Sequence, residues 1–220
     1  MTIEESLKTE GLTKLIIGNA GEPLIISDVP ELWWDEFARS GFIEYASFQD
    51  YWIDDLVSPE LGQDELEFLT AEECPAASEV TFACQGTSRG FEGQPPEWFV
   101  QWLRGEAKGL GCNSRNAAIL IHKIGERITG LSCTATYAHG SEKGAIVWVR
   151  MLAVHPDFQR RGIGRKLLAQ TLCYGTEHGA KRAFLQTDTQ NSIAQKLYLD
   201  AGFLPRKCER QADMVWRDAK

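Results

Sequence analysis

The sequence predicts an α/β protein of the α+β kind: a central mixed, mostly antiparallel sheet flanked by helices, with an N-terminal extension. Three observations predict it. Apolar runs at 117–124, 128–137 and 145–154 follow one another across short polar turns, as strands in serial hairpins do, and such strands pair antiparallel. After residue 154 the pattern becomes helix, strand, helix, strand, the order of an α/β unit. The composition also changes along the chain: residues 1–80 hold 19 Asp and Glu against 3 Lys and Arg, whereas 81–220 hold 12 against 20. The 220 residues suffice for one domain with an appendage. The division is placed at Gly62-Gln63, giving an acidic, aromatic-rich extension over 1–63 and a domain over 64–220.

In chain order, Leu15-Ile16-Ile17 and Leu24-Ile25-Ile26 read as short strands around the turn residues Asn19 to Glu22. A helix is predicted over 30–39, with Asp28 available as cap, Pro30 in its first turn and Gly41 beyond its end. A second short helix is predicted over 48–57, between Ser47 and Pro59. Leu66 to Leu69 reads as a strand. Thr70 with Glu73 forms a capping-box pattern that opens a helix over 71–84. A Gly- and Pro-rich loop, 86–96, leads to a helix carrying Trp98, Phe99, Trp102 and Leu103, and 105–111 is loop again. The three serial strands follow. Next come a helix over 162–176 that buries Leu167, Leu168, Thr171 and Leu172, and a strand over 183–187. A helix over 191–201 places Ile193, Ala194, Leu197, Tyr198 and Ala201 on one face and ends at Gly202. Leu204 and 214–216 supply the last strands.

Composition excludes several function classes. The net charge of −8 disfavours nonspecific nucleic-acid binding, which needs cationic neutralisation of phosphate. No apolar run approaches the roughly 20 residues that span a bilayer, so no membrane segment is expected. The N-terminus lacks the basic-then-apolar order of a secretory signal. The six cysteines form no Cys-x-x-Cys pair and no zinc-site spacing with His. They read as reduced thiols in a cytoplasmic protein, without a metal.

The chemistry is concentrated between Val149 and Arg165. An apolar strand runs out at His155-Pro156, and a tight loop carrying Gly162, Gly164 and the arginines 160, 161 and 165 feeds straight into a helix. This is an anion seat: free amides at the helix start point outward, the helix dipole favours negative charge, and arginine adds charged donors. It is neither a Walker A loop, which needs Gly-Lys-Ser/Thr, nor a dinucleotide fingerprint, whose third glycine would fall at Leu167.

Gln159-Arg160-Arg161-Gly162-Ile163-Gly164 after such a strand resembles the pyrophosphate-binding motif of the GNAT superfamily of acyl-CoA-dependent N-acyltransferases. A second block, Asn191 to Phe203, is similar to the Asn-x-x-Ala-x-x-Leu-Tyr-x-x-x-Gly-Phe helix of that family. The resemblance covers about 64–220, with motif-level identity in 147–203. It implies the GNAT fold, with the sheet splayed at the strand 145–154, and acetyl-CoA as co-substrate without a metal. It also implies roles. Leu152, Ala153 and Val154 offer backbone groups to the pantetheine arm. The amides of Gln159, Arg160, Arg161, Gly162, Ile163, Gly164 and Arg165 cradle the pyrophosphate. Asn191 bonds the pantetheine amide region, and Tyr198 protonates the departing thiolate.

The sequence departs from the family's pattern at one point. Many members carry a Glu on the central strand that deprotonates the amine, and 145–154 holds no carboxylate. Glu92, Glu97, Glu142 or an acid of the N-terminal region are the alternatives. The extension holds eight aromatics between residues 33 and 52, interleaved with acids, which either anchor it to the domain or help to hold an organic cation. The expected activity is acetyl transfer from acetyl-CoA to a primary amine of a small molecule or peptide, with the acidic half favouring a cationic acceptor. A homodimer is compatible with the sequence. A catalytically silent acyl-CoA-binding regulatory module is the competing reading, sustained by the missing strand carboxylate.

Overall fold

The computed structural model describes residues 24–60, 66–107, 110, 113–206 and 211–216. The elements in chain order are β1 (Leu24–Pro30), α1 (Trp34–Arg39), β2 (Phe42–Ile53), α2 (Cys74–Ala83), α3 (Pro96–Leu103), β3 (Arg115–Ile124), β4 (Arg127–Tyr137), β5 (Ala145–Val154), α4 (Ile163–Glu177), β6 (Ala180–Asp188), α5 (Ser192–Asp200), β7 (Leu204–Pro205) and β8 (Gln211–Trp216). The described residues fall into two compact units, one formed by 24–49 with 211–216, the other by those between 50 and 206.

In the smaller unit β8 pairs antiparallel with β1 (Ile25 opposite Val215) and with β2 (Ile43 opposite Val215). Val29, Ala212 and Met214 form its core, covered by Trp33, Trp34, Phe37 and Phe42. The Trp34 indole N–H donates to Val29 C=O at 2.9 Å, and Phe37 meets Phe42 edge-on at 5.2 Å. These four aromatics of the acidic segment therefore make a local core. The predicted strand at 15–17 lies outside the described residues. Pro30 and Trp33, the residues at the two helical starts there, provide no side-chain cap, and the side chain of the expected cap, Asp28, lies outside the described ones.

The helix predicted over 48–57 is instead the second half of β2. Phe48, Tyr51, Trp52 and Ile53 are aromatic or β-branched, and their strand preference with cross-strand partners outweighs the capping signal of Ser47. Tyr51 and Trp52 pair with β7, and Trp52 lies 4.6 Å from Phe184.

In the larger unit the strands run in the order β6, β5, β4, β3. The two hairpin steps are antiparallel and the β5–β6 step is parallel, because α4 carries the chain back across the sheet. The helices α2 and α3 cover one face. There Phe99 and Trp102 are fully buried against Ile119, Leu131, Cys133 and Ala135. The opposite face is covered by α4, whose Leu167, Leu168, Thr171 and Leu172 are buried as its periodicity predicts. Each buried leucine contributes roughly 1.5–3 kcal/mol over an exposed one. The Thr70–Glu73 capping box is present, and Glu73 also pairs with Lys123 at 2.7 Å. Those two contacts hold the Glu73 carboxyl below its usual range, the Lys123 hydrogen bond first.

Candidate functional site

The site begins where two parallel strands separate. β5 pairs with β4 from Ile146 to Val154, but with β6 only from Ala145 to Val149. Val149 and Met151 sit opposite the adjacent β4 residues Thr134 and Cys133, so Arg150 is an extra residue, a β-bulge. The bulge reverses which side chains face which helices. Val147 and Val149 pack with Leu168 and Leu172 of α4, whereas Met151 and Ala153 pack in the core beneath α2 and α3. Beyond it Leu152 and Val154 take the α4 side.

Backbone direction follows from the alternation of an antiparallel ladder. His155 N–H donates to Thr129 C=O at 2.9 Å, so Ala153, two residues earlier, also faces β4. Leu152 and Val154 therefore direct their N–H and C=O groups toward the open edge. The Val154 carbonyl is already engaged, by Gln159 Nε2 at 3.0 Å and by the Cys84 thiol at 3.2 Å. Burial pushes the Cys84 thiol up to about 11.

The strand then breaks into the turn Pro156–Phe158, and the chain enters α4 through two left-handed residues, Arg160 at φ +64° and Gly162 at φ +81°. The first helical hydrogen bond is Lys166 N–H to Gly162 C=O, 3.0 Å. None of the amides of Arg160, Arg161, Gly162, Ile163, Gly164 and Arg165 donates to a protein acceptor among the described residues. Six consecutive free N–H groups at the start of a 15-residue helix form an anion-binding nest. The side chains play separate parts. Ile163 is buried in the core and offers only its amide. Arg161 donates to Asp157 C=O at 3.1 Å and lies over the Phe158 ring. Arg165 approaches Asp200 at 3.7 Å, and Arg160 is exposed.

Asn191 caps α5: its Oδ1 accepts from Ala194 N–H at 3.1 Å, which leaves the Nδ2 donors for another partner. Tyr198 is buried between Tyr51 and Phe203, with ring centroids 6.2 and 6.1 Å away. Burial pushes its phenol up to about 12, and its hydroxyl makes no hydrogen bond among the described residues. Leu152 packs on the same cluster as Tyr198, and Leu197 lies 3.6 Å from where a Cβ on Gly164 would stand. The open strand edge, the nest and α5 thus adjoin. Ile193, predicted on the buried face of α5, is 69% exposed; it sits in the first turn, beyond the core that receives Tyr198.

Sequence reasoning missed two features. Arg89, in the loop before α3, grips Asp188 at the end of β6 through two hydrogen bonds of 3.2 and 2.6 Å. Asp188 is buried and also accepts from Gln190 N–H. No local pattern links residues 99 apart. Arg150 stood in the apolar run as its one cation, a signal that was there to be used. Glu92, Glu97 and Glu142 are all exposed. A cleft of about 380 Å³ beside α3 includes Glu97 and none of the predicted site residues. No cluster of three metal-ligating side chains occurs among the described residues, nor does any helix there have the length and apolarity to cross a membrane.

Residues 86–203, more than half of the chain, match the profile of the acetyltransferase (GNAT) family. The chain belongs to that family. Among curated proteins it is similar to the aminoglycoside N(6')-acetyltransferase type 1 of Salmonella typhimurium, 30% identical over 67 residues, which is 30% of this chain and 46% of that protein. An uncharacterised N-acetyltransferase of Methanocaldococcus jannaschii is 24% identical over 103 residues, 47% of this chain and 46% of the other. The chain thus spans about half the length of the curated relatives it matches. Among solved structures, a GCN5-related N-acetyltransferase from Sphaerobacter thermophilus superposes with a TM-score of 0.65 at 14% identity, covering 97% of this chain and 67% of the other. At such identity the likeness concerns the fold, the mostly antiparallel GNAT sheet flanked by helices.

Proposed function

We propose that the protein is an N-acetyltransferase that uses acetyl-CoA to acetylate a primary amine in a ternary complex, with the catalytic domain in 64–220. One observation carries the reading: β5 leaves β6 after Val149, and the edge so opened runs directly into a nest of six free amides. The donor set fits the group, since the nest suits a pyrophosphate and the open edge suits an amide-bearing arm.

Acetyl-CoA supplies an activated acetyl thioester. The amides of Arg160 to Arg165 hold the pyrophosphate, with the Gln159 side chain bracing the loop on Val154. Asn191 Nδ2, the Leu152 C=O and the Val154 N–H bind the pantetheine amides. Leu152 N–H, at the open edge, donates to the thioester carbonyl oxygen as negative charge develops there. The acceptor nitrogen forms the C–N bond as the C–S bond breaks, and its proton leaves to solvent.

Tyr198 donates a hydrogen bond to the departing sulfur. Its raised pKa shapes this role: a phenol near 12 stays protonated, but complete transfer to a thiolate whose acid has a pKa near 8.5 is uphill by about 5 kcal/mol. The hydroxyl therefore stabilises the thiolate, and solvent supplies the final proton. With no carboxylate on β5, the acceptor reacts as its free amine, and kcat/KM rises with pH up to the acceptor's own pKa. The free thiols of Cys74, Cys84, Cys133 and Cys173 suit a reducing, cytoplasmic compartment.

The test is a thermal-shift titration with acetyl-CoA and CoA, followed by thiol release across a panel of amines. A shift with amine-dependent release supports the transferase; no shift refutes the cofactor assignment. The missing strand carboxylate favours one second reading, a silent acyl-CoA-binding module, which predicts the shift with no release from any amine.

A further inference from the structure

Among the described residues the bulge residue Arg150 meets no carboxylate. Its side chain is exposed and forms no ion pair or hydrogen bond among the described residues. Its guanidinium lies over the Trp148 ring, 5.6 Å from the centroid. Trp148 belongs to a continuous series of rings. Trp98 stacks on Trp102 at 5.1 Å, Trp102 lies 6.2 Å from Trp148, and Tyr137 meets Trp148 edge-on at 5.6 Å. Trp102 is fully buried and fixed by bonds from its indole N–H to Ala118 and Thr134 carbonyls, whereas Trp98, Tyr137 and Trp148 are only half-buried. The result is an aromatic face with one cation at its edge that has no acidic partner among the described residues, on the strand that leaves β6 after Val149.

A guanidinium held over an aromatic ring is already oriented, and its planar fork matches a carboxylate with two parallel hydrogen bonds. The same charge repels a second cationic group on an acceptor. We infer that Arg150 and the face of Trp98, Tyr137 and Trp148 select a small primary amine that also carries a carboxylate and an apolar or aromatic side chain, a substrate of the amino-acid class. The inference rests on the N-acetyltransferase reading and gives its acceptor site a chemical class. The acceptor carboxylate pairs with Arg150, its apolar part lies on the rings, and its amine is left to face the open strand edge. Arg150 is a specificity residue and takes no part in proton transfer.

Product-like probes test this without requiring turnover. N-acetyl-phenylalanine and N-acetyl-phenylalaninamide, identical except for the carboxylate, are titrated calorimetrically into protein saturated with CoA. The carboxylate form is expected to bind at least about 10-fold more tightly, and Arg150→Gln to reduce that ratio to within about 2-fold while Tm and CoA affinity are retained. Thiol release with phenylalanine, phenylalaninamide and phenylethylamine gives the second readout: the carboxylate-bearing amine should have the highest kcat/KM, and Arg150→Glu should reverse the order. Equal binding of the two probes by the wild type, or a preference that survives in Arg150→Gln, overturns the inference. Those results leave the transferase reading intact, because CoA binding and release to uncharged amines would still be seen. Failure to bind CoA at all would instead overturn the transferase reading and this inference with it.

Discussion

Replacing Tyr198 by phenylalanine isolates the hydroxyl that the mechanism places on the leaving sulfur. The ring is buried and held between Tyr51 and Phe203, and phenylalanine keeps those contacts. The hydroxyl has no hydrogen bond within the described protein, so its removal costs the fold almost nothing: about 0.5 kcal/mol either way. At 2–4 °C per kcal/mol for a chain of this size, Tm moves by no more than about 2 °C. In the proposed transition state the same hydroxyl donates to a developing thiolate, and a hydrogen bond to a charged group contributes roughly 1.5–3 kcal/mol. That predicts a 10- to 150-fold fall in kcat at about 1.4 kcal/mol per decade.

Because the bond is made to the charged sulfur, KM for acetyl-CoA should change little. Steady-state thiol release at pH 7–9 on both proteins, with a melting curve on each, decides the matter. With the phenol pushed up to about 12, Tyr198 remains protonated across that range and contributes no alkaline limb to the wild-type profile. A kcat within two-fold of wild type in a variant of unchanged Tm would refute the role. So would a wild-type profile whose activity falls with an apparent pKa near 9 that the variant lacks.

Four further outcomes are expected. Gly162→Ala forces a Cβ into a left-handed position at φ +81°, costing about 1–2 kcal/mol in the loop or displacing the amides; calorimetry should show acetyl-CoA binding weakened by about 10-fold. Gly175→Ala gains helix propensity, but its Cβ would stand 2.5 Å from Val147; overpacking of roughly 1–3 kcal/mol outweighs that gain of about 1, so Tm falls, and Val147→Ala in the same chain restores part of the loss. Asp188→Asn removes the carboxylate charge that Arg89 grips, and should cost about 2–3 kcal/mol by urea titration, below the value for a fully buried pair because Arg89 is 26% exposed. Cys84, whose thiol is pushed up to about 11, should be alkylated at pH 8 at least 100-fold more slowly than free cysteine, as read by mass spectrometry of the labelled peptides.

The sequence was most informative where a local rule governs several neighbouring residues. A strand, a proline and two glycines before a periodic helix announce the nest at Arg160 to Arg165, and its free amides are what that order of residues requires. Serial apolar runs with polar turns likewise announce β3, β4 and β5. β2 was misread because capping residues flank it by chance, while its aromatics find cross-strand partners far along the chain. The bulge left no trace in the pattern. Burial alternates without a break from Ala145 to Val154, because the fully buried residues pack against α4 before the bulge and beneath α2 and α3 after it. The Arg89–Asp188 clamp was illegible for the simplest reason: tertiary structure alone joins residues so far apart.

That silent bulge is what makes the site. Had β5 kept its register with β4, Met151 and Ala153 would have continued on the α4 side with Val147 and Val149, where Leu168 and Leu172 already fill the space. The extra residue instead sends Met151 and Ala153 into the core beneath α2 and α3, and brings Leu152 and Val154 onto the α4 face. It coincides with the last β5–β6 pair, because a bulged strand bends and twists away from its parallel neighbour. The inserted residue has no opposite number on β4, and its side chain is exposed beside the point where β5 leaves β6. In this chain that residue is an arginine backed by a tryptophan. On the proposed function, one insertion thus both opens the strand edge that would take the thioester arm and sets the charge beside it. Acceptor preference should therefore follow the residue at position 150 more closely than it follows the acidity of the N-terminal segment.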